Sequence, residues 1–299
     1  MTRRPLSIFV VGAVAVSLSA CGSSSLSPGG SAPATAPLTA AQTADPALVA
    51  KLPAKIKSAG KIVVGTDATY APNEFLAGDG KTVQGMDIDL FNAVAQKFGV
   101  TVEFQPAGFD SIILGVTSGK YDMGISSFSI TDERKKQVNM VSYYTAGTQW
   151  VTLKDNPKKV DPENACGLSV GVQKGTTQQD DLTARSKKCT DGGKPGINLV
   201  VQDGQDQVTA DVASGKTAAM AADSPVALYA VKQTKGQLAP LGSTYDSAPY
   251  GWVVPTAETD FAQALADAVK SLNAEGAYKP ILAKWGIDNG AITDFAVNP

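Results

Sequence analysis

The sequence predicts an α/β protein of two lobes, and three observations carry that expectation. Short β-branched runs alternate with helical patterns from about Lys61 onward, the signature of βαβ units and mostly parallel sheets. The same grammar then starts again near Leu168 and runs through a second stretch of comparable length. With 299 residues, 43% of them apolar and 18% charged, the chain can bury a core in each of two compact bodies.

The chain opens with Arg3 and Arg4, an apolar run from Leu6 to about Val16, and small residues ahead of Cys21, the layout of an export signal over residues 1–20. The run is short for a membrane span. Leu18-Ser19-Ala20-Cys21 resembles a lipobox, which implies a lipid-bearing Cys21 and anchorage to the outer face of the cytoplasmic membrane, in a periplasm or at a cell surface. Residues 21–44 are rich in Ser, Gly, Pro, Ala and Thr, cannot bury a core, and read as a flexible tether that ends near Asp45. Export leaves Cys166 and Cys189 as an even pair in an oxidising compartment, so a disulfide between them is the simple expectation, two free buried thiols being the alternative. A bridge there closes a loop of roughly 20 residues and adds about 3 kcal/mol.

In the first half, Lys61–Thr66 reads as a strand and Asp87–Phe98 as a helix with Leu90, Phe91, Val94, Ala95 and Phe98 on one face and Gly99 as its stop. Thr101–Phe104 is the next strand, Asp110–Ser118 a helix ended by Gly119, and Tyr121–Ser126 a buried strand leading into Ser127, Phe128 and Ser129. A charged helix, TDERKKQV, starts with Thr131 as its cap, and Val151–Leu153 reads as a crossing strand. In the second half, strand Leu168–Gln173 turns at Lys174-Gly175 into a helix opened by Thr176 and Thr177. Strand Asn198–Gln202, a helix stopped by Gly215, strand Thr217–Ala222 ending at Asp223, and a helix started by Ser224-Pro225 follow. Pro249–Val254 is a strand, Phe261, Leu265, Ala268, Val269 and Leu272 stripe a long helix, and a short helix carries Ile281, Leu282 and Trp285.

The chain has no histidine, which removes Ser-His-Asp and Cys-His nucleophile systems and the commonest metal ligand. Three dispersed cysteines do not make a structural zinc site, and no cofactor is implied. A formal net charge of -2 gives no electrostatic footprint for nucleic acid, and a small neutral or zwitterionic partner fits better. Loops at strand ends are where such sheets hold ligands. There stand Arg134, in the first turn after Ser127–Ser129, Thr176 and Thr177 at a helix start, and Asp223 at a strand end. Taken singly, each has a plain reading: Arg134 on a solvated helix face, Thr176 as an ordinary cap, Asp223 as the cap of the helix behind it.

Two motifs go further. Gly85-Met86-Asp87-Ile88-Asp89-Leu90 and Ser127-Phe128-Ser129-Ile130-Thr131-Asp132-Glu133-Arg134 resemble the signatures of the amino-acid-binding class of extracellular solute-binding proteins, family 3, over about Lys61 to Trp285. The resemblance implies the two-lobed periplasmic-binding-protein (type II) fold, with a central cleft and a hinge of two segments near Thr145–Gln149 and Asp246–Tyr250. Lobe 1 would comprise residues 45–147 and 249–299, and lobe 2 residues 148–248. It implies that Arg134 grips the α-carboxylate of a free amino acid, helped by Ser129 and Thr177. Asp223, with Ser127, would hold the α-ammonium, Tyr70 and Phe109 would sandwich the side chain, and Asp67 would read its tip. It also implies cleft closure and delivery to the membrane subunits of an ABC importer.

The chain departs from the family where Tyr70-Ala71-Pro72-Asn73-Glu74-Phe75 places Asn73 at a common aromatic position. Asp67, Asn73 and Gln173 together suggest a substrate tip rich in hydrogen-bond donors, glutamine or a basic amino acid. An inward Lys174 would favour acidic ligands, while a solvent lysine is the ordinary reading, and Glu74 reads as structural or surface. The rivals are a cyclohexadienyl dehydratase-like enzyme on the same fold, and a ligand sensor without transport.

Overall fold

The computed structural model describes residues 42–299. The export signal, Cys21 and nearly all of the tether expected from the sequence lie outside the described residues. Asp45 caps helix α1 (Pro46–Ala50), its carboxylate accepting from the Ala47 N–H at 2.8 Å. Helix α2 (Ala54–Ala59) leads through Gly60 into strand β1 (Lys61–Thr66), and β2 (Thr69–Tyr70), β3 (Glu74–Leu76) and β4 (Val83–Gln84) form a small antiparallel sheet. Then come α3 (Met86–Lys97), β5 (Thr101–Pro106), α4 (Phe109–Thr117), β6 (Met123–Gly124), the single turn α5 (Asp132–Lys135) and the long strand β7 (Val138–Leu153). The second half runs β8 (Ser169–Gln173), α6 (Thr177–Asp191), β9 (Asn198–Gln202), α7 (Gln205–Ala213), β10 (Ala219–Asp223) and α8 (Ser224–Gln233). The long strand β11 (Leu238–Pro255) and helices α9 (Thr259–Ala274) and α10 (Tyr278–Lys284) complete it.

Among the described residues the large sheet has eight strands in the order β5-β1-β6-β11-β7-β10-β8-β9. Its flanks are parallel, β1 with β5 and β6 on one side and β8 with β9 and β10 on the other. Its centre is an antiparallel pair, β7 and β11, whose register breaks between Leu241 and Tyr245, between Tyr245 and Ala248, and between Tyr250 and Gly251. Bulges of this kind bend and twist a strand pair. On one side of the breaks a core gathers around Leu90, Phe91, Trp252, Leu265 and Val269. On the other, cores gather around Trp150, Val170 and Leu182 and around Val208, Val212 and Met220. The fold is therefore the expected two-lobed α/β arrangement, joined by two strands.

Four elements differ from the sequence reading. The TDERKKQV helix stops after one turn, because Val138 already pairs with Pro255 in the sheet. The separate strands at Val151–Leu153 and Pro249–Val254 are ends of two continuous strands, and the two segments expected as a hinge lie within them. Tyr121–Ser126 pairs only through Met123 and Gly124, after which the chain turns into the Ser127 loop. Cys166 and Cys189 are disulfide-bonded, with Cα atoms 5.6 Å apart, tying the approach to β8 to the last turns of α6.

Candidate functional site

Tyr70, Phe109, Ser127, Ser129, Arg134, Thr176, Thr177, Gln178 and Asp223 line one cleft. Eight of these nine are residues that the sequence reading singled out, and Gln178 is not. Tyr70, Phe109, Ser127, Ser129 and Arg134 come from the half of the sheet built on β1, while Thr176, Thr177, Gln178 and Asp223 come from the half built on β8 and β10.

Arg134 is fixed by its one-turn helix, whose cap Thr131 accepts from the Arg134 N–H at 3.2 Å. Its guanidinium donates to the Ser129 carbonyl at 2.8 Å and, across the cleft, to the Gly175 carbonyl at 3.0 Å. It also stands 5.5 Å and 5.4 Å from the ring centroids of Phe109 and Phe128, which are stacked at 4.6 Å. A cation against aromatic faces is held by their quadrupoles. Phe128, buried, therefore supports the site although the sequence reading gave it no role. Burial lowers the affinity of the Arg134 guanidinium for its proton, and the charge of Asp223 opposes that shift.

Asp223 stands at the N-cap position of α8, but its side chain makes no capping bond. Its oxygens instead accept from Tyr70 Oη at 2.9 Å and from Gln178 Nε2 at 2.8 Å, and Gln178 also reaches Thr148 Oγ1 at 3.0 Å. Burial pushes the Asp223 carboxyl above the usual carboxylate range, and hydrogen bonds and the Arg134 charge pull the other way. A carboxylate at 5% exposure, lining the same cleft as a guanidinium from the opposite half and feeling its charge, costs folding energy that a capping role would not explain.

Thr176 is an N-cap in full: its hydroxyl accepts from the Gln179 N–H at 3.2 Å and donates to the Gln173 carbonyl at 2.7 Å. Thr177 opens the 15-residue helix α6 beside it, where free N–H groups favour an anion. Gln178 is the next residue of that first turn, and the run Thr-Thr-Gln at a helix start was the signal that could have found it.

Asp67 and Gln173 are brought together beside the cleft, outside its lining. The Gln173 side-chain amide donates to Asp67 Oδ2 at 2.7 Å, and the Phe109 N–H donates to the same oxygen at 3.1 Å. Thr69 supplies two more donors to Oδ1, so the carboxylate receives four hydrogen bonds, about all it can accept. Asn73, expected on a pocket wall, is fully buried behind Ser127 and donates to its hydroxyl at 2.9 Å. Glu74 lies buried at 0% exposure, structural and away from the surface. Lys174 does not turn inward but pairs with Asp110 at 2.8 Å on the cleft rim, both half exposed. Among the described residues no group of three His, Cys, Asp or Glu side chains could hold a metal ion. The cleft thus presents a cation and a carboxylate from opposite halves, with aromatic faces and neutral donors between them, which suits a small solute bearing both charges.

The model of the bacterial extracellular solute-binding proteins, family 3, matches residues 62–288. The chain is 33% identical over 254 residues to the arginine-binding protein ArgT of Corynebacterium glutamicum, covering 85% of this chain and 83% of that one. Among solved structures, it resembles an ancestral arginine-binding protein bound to arginine, with a TM-score of 0.70 and 35% identity over 76% of this chain and 98% of that one. An ancestral arginine-binding protein bound to glutamine is similar at a TM-score of 0.70 and 34% identity, with the same two coverages, 76% and 98%. No helix of the described residues is long and apolar enough to cross a membrane.

Proposed function

This chain belongs to the bacterial extracellular solute-binding proteins, family 3, and we propose that its cleft captures a free polar amino acid, a basic one such as arginine first, for delivery to an ABC importer. It is a binding protein and not an enzyme, as its named relatives are. The observation that carries the substrate class is the pairing of Arg134 and Asp223 across one cleft. Arg134, with Ser129 and the start of α6 at Thr177, takes the α-carboxylate. Asp223, with Ser127, takes the α-ammonium. Tyr70 and Phe109 flank the side chain, and Asp67 with Gln173, beside the cleft, lies toward its tip.

Because the two charges come from opposite halves, the ligand is fully satisfied only with the halves together, and such differential contacts shift a two-state protein toward its closed form. Lobe 1 then comprises residues 45–147 and 249–299, and lobe 2 residues 148–248. Cys21, lipid-bearing after removal of residues 1–20, would hold the protein at the outer face of the cytoplasmic membrane.

Glutamine is the second reading, and the Gln173–Asp67 bond favours it. A carboxylate already receiving four donors has little capacity left for a guanidinium, whereas a neutral amide needs less. Thermal melting of residues 45–299 with each amino acid decides both. Ligand at one hundred times its Kd adds about 2.7 kcal/mol, a shift of several degrees. A shift for arginine or glutamine that disappears in Arg134→Ala supports the reading. No shift with any amino acid, in protein freed of carried-over ligand, overturns it.

A further inference from the structure

The motif around Gly85 and Asp87 takes no part in the clamp, yet it is built into the floor beneath Ser127. Gly85, at φ 141°, lets the start of α3 lie against the Asn73 backbone, where a Cβ would collide with the Asn73 carbonyl. The Met86 and Asp87 N–H groups then donate to the Pro72 and Asn73 carbonyls, each at 3.0 Å. This places Asp87 against Glu74, both carboxyls at 0% exposure. Neither forms an ion pair with a lysine or arginine among the described residues.

One hydroxyl, Ser127 Oγ, lies 3.2 Å from Glu74 Oε2 and 3.3 Å from Asp87 Oδ2. Two carboxylates that close, dry and without a cation cannot both be ionised. The donor count agrees. Glu74 Oε1 accepts from Ser126 Oγ at 3.1 Å, and Asp87 Oδ2 accepts from Tyr143 Oη at 2.8 Å and the Ser127 N–H at 3.2 Å. Asp87 Oδ1 alone of the four oxygens has no donor. A proton carried by Glu74 and directed at Asp87 supplies it. Burial, then the Asp87 charge, holds the Glu74 carboxyl well above the usual carboxylate range. The other titratable groups facing the pair are Asp67, Tyr70, Tyr143 and Tyr144.

We propose that Glu74 and Asp87 share one proton, and that this acid–carboxylate pair is the positioning element that sets Ser127 in the cleft, so that capture of the amino acid depends on that proton. Ser127 needs such support: its φ of 52° lies in the left-handed region, uncommon for a residue other than glycine. Asp87 holds its N–H, while Glu74, Asp87 and Asn73 surround its hydroxyl. The proposal rests on the amino-acid reading of the cleft.

Two readouts test it. In ligand-free protein at pH 7, infrared spectroscopy should show the C=O stretch of a buried protonated carboxyl that is lost in Glu74→Gln and shifted in Asp87→Asn. In calorimetry, Glu74→Ala should weaken binding at least tenfold, and Glu74→Gln should restore most of it. The wild-type affinity, divided by that of Glu74→Gln to cancel the titration of the ligand itself, should fall tenfold per pH unit above the pH at which the band disappears. A band unchanged in Glu74→Gln overturns the shared proton, whatever the protein binds. A band that is lost without a break in the affinity ratio, or a Glu74→Gln variant that binds no better than Glu74→Ala, overturns the dependence of capture on the proton. If the band behaves as expected but no amino acid binds, the cleft reading fails and the positioning role fails with it.

Discussion

Asp223→Asn separates binding from stability in a way that few single changes in this protein can. In the folded chain the Asp223 carboxylate is 5% exposed, and burial pushes its carboxyl above the usual range, so its charge is a cost to the ligand-free protein. With an α-ammonium in the cleft that charge is matched, and removing one member of a buried pair costs about 3 kcal/mol or more. Asparagine keeps the shape and one acceptor, but its amide group must face either Tyr70 Oη or Gln178 Nε2, both of which donate to Asp223. Lost ion pairing of about 3 kcal/mol corresponds to an affinity loss of about 150-fold. Removal of the unmatched charge and the new donor conflict oppose one another in the ligand-free state. The melting temperature without ligand should therefore stay within about 3 °C of the parent or rise, the trade expected where a site is held against its own stability. Isothermal calorimetry and thermal melting on the same preparation measure both quantities. An affinity within threefold of the parent would refute a role in binding. A melting temperature that falls in step with affinity would make Asp223 a structural residue.

Three other changes probe separate parts of the molecule. Gln178→Ala removes a donor to Asp223 and leaves Thr148 without its partner, and should weaken ligand binding about tenfold by calorimetry. Cys166→Ser with Cys189→Ser opens a link between residues 23 apart and should lower unfolding stability by about 3 kcal/mol in chemical denaturation. The third is the dependence of ligand-free stability on pH. Glu74 and Asp87 both have carboxyls raised by burial, so their contribution is complete below the unfolded carboxylate range and is lost as pH rises through the folded values. The melting temperature should therefore decline from pH 5 toward pH 9, and Glu74→Gln should flatten that decline. A stability that rises over the same interval would contradict the assignment.

Much of the fold was legible because its signals are local. The caps Thr131 and Thr176 and the glycine stops at Gly99, Gly119 and Gly215 are written within a few residues of the helices they bound. Strand β7 was not legible as one element, and the reason is its surroundings. Val138–Leu153 is buried almost throughout and packs against α9, α7 and α8, so both faces are buried, polar residues such as Asn139, Ser142 and Gln149 included, and the alternation that marks a half-buried strand is missing. The cleft divides in the same way. Residue types at strand ends and helix starts pointed to Arg134, Thr177 and Asp223, but Tyr70 meets Asp223 across 153 residues, and Gln173 meets Asp67 across 106.

The carboxylates make the division sharpest. Asp67, Glu74, Asp87 and Asp223 are all buried, and a charged residue read from sequence alone is placed at the surface unless a partner is in view. Each is tolerated for a different reason. Asp67 is saturated with donors, Glu74 and Asp87 answer one another, and Asp223 faces Arg134 across the cleft. Apart from Thr69, which gives Asp67 two of its four donors, none of those partners is a near neighbour in sequence, so the rule that charge belongs outside fails four times in one region. Failures of a local rule that cluster in space are what a functional site leaves behind. They also order the four by consequence. Loss of the charge at Asp223 should cost ligand first, because its counter-charge is shared between Arg134 and the solute, whereas a charge gained at Glu74 should cost the shape of the Ser127 loop, because nothing within reach can neutralise it.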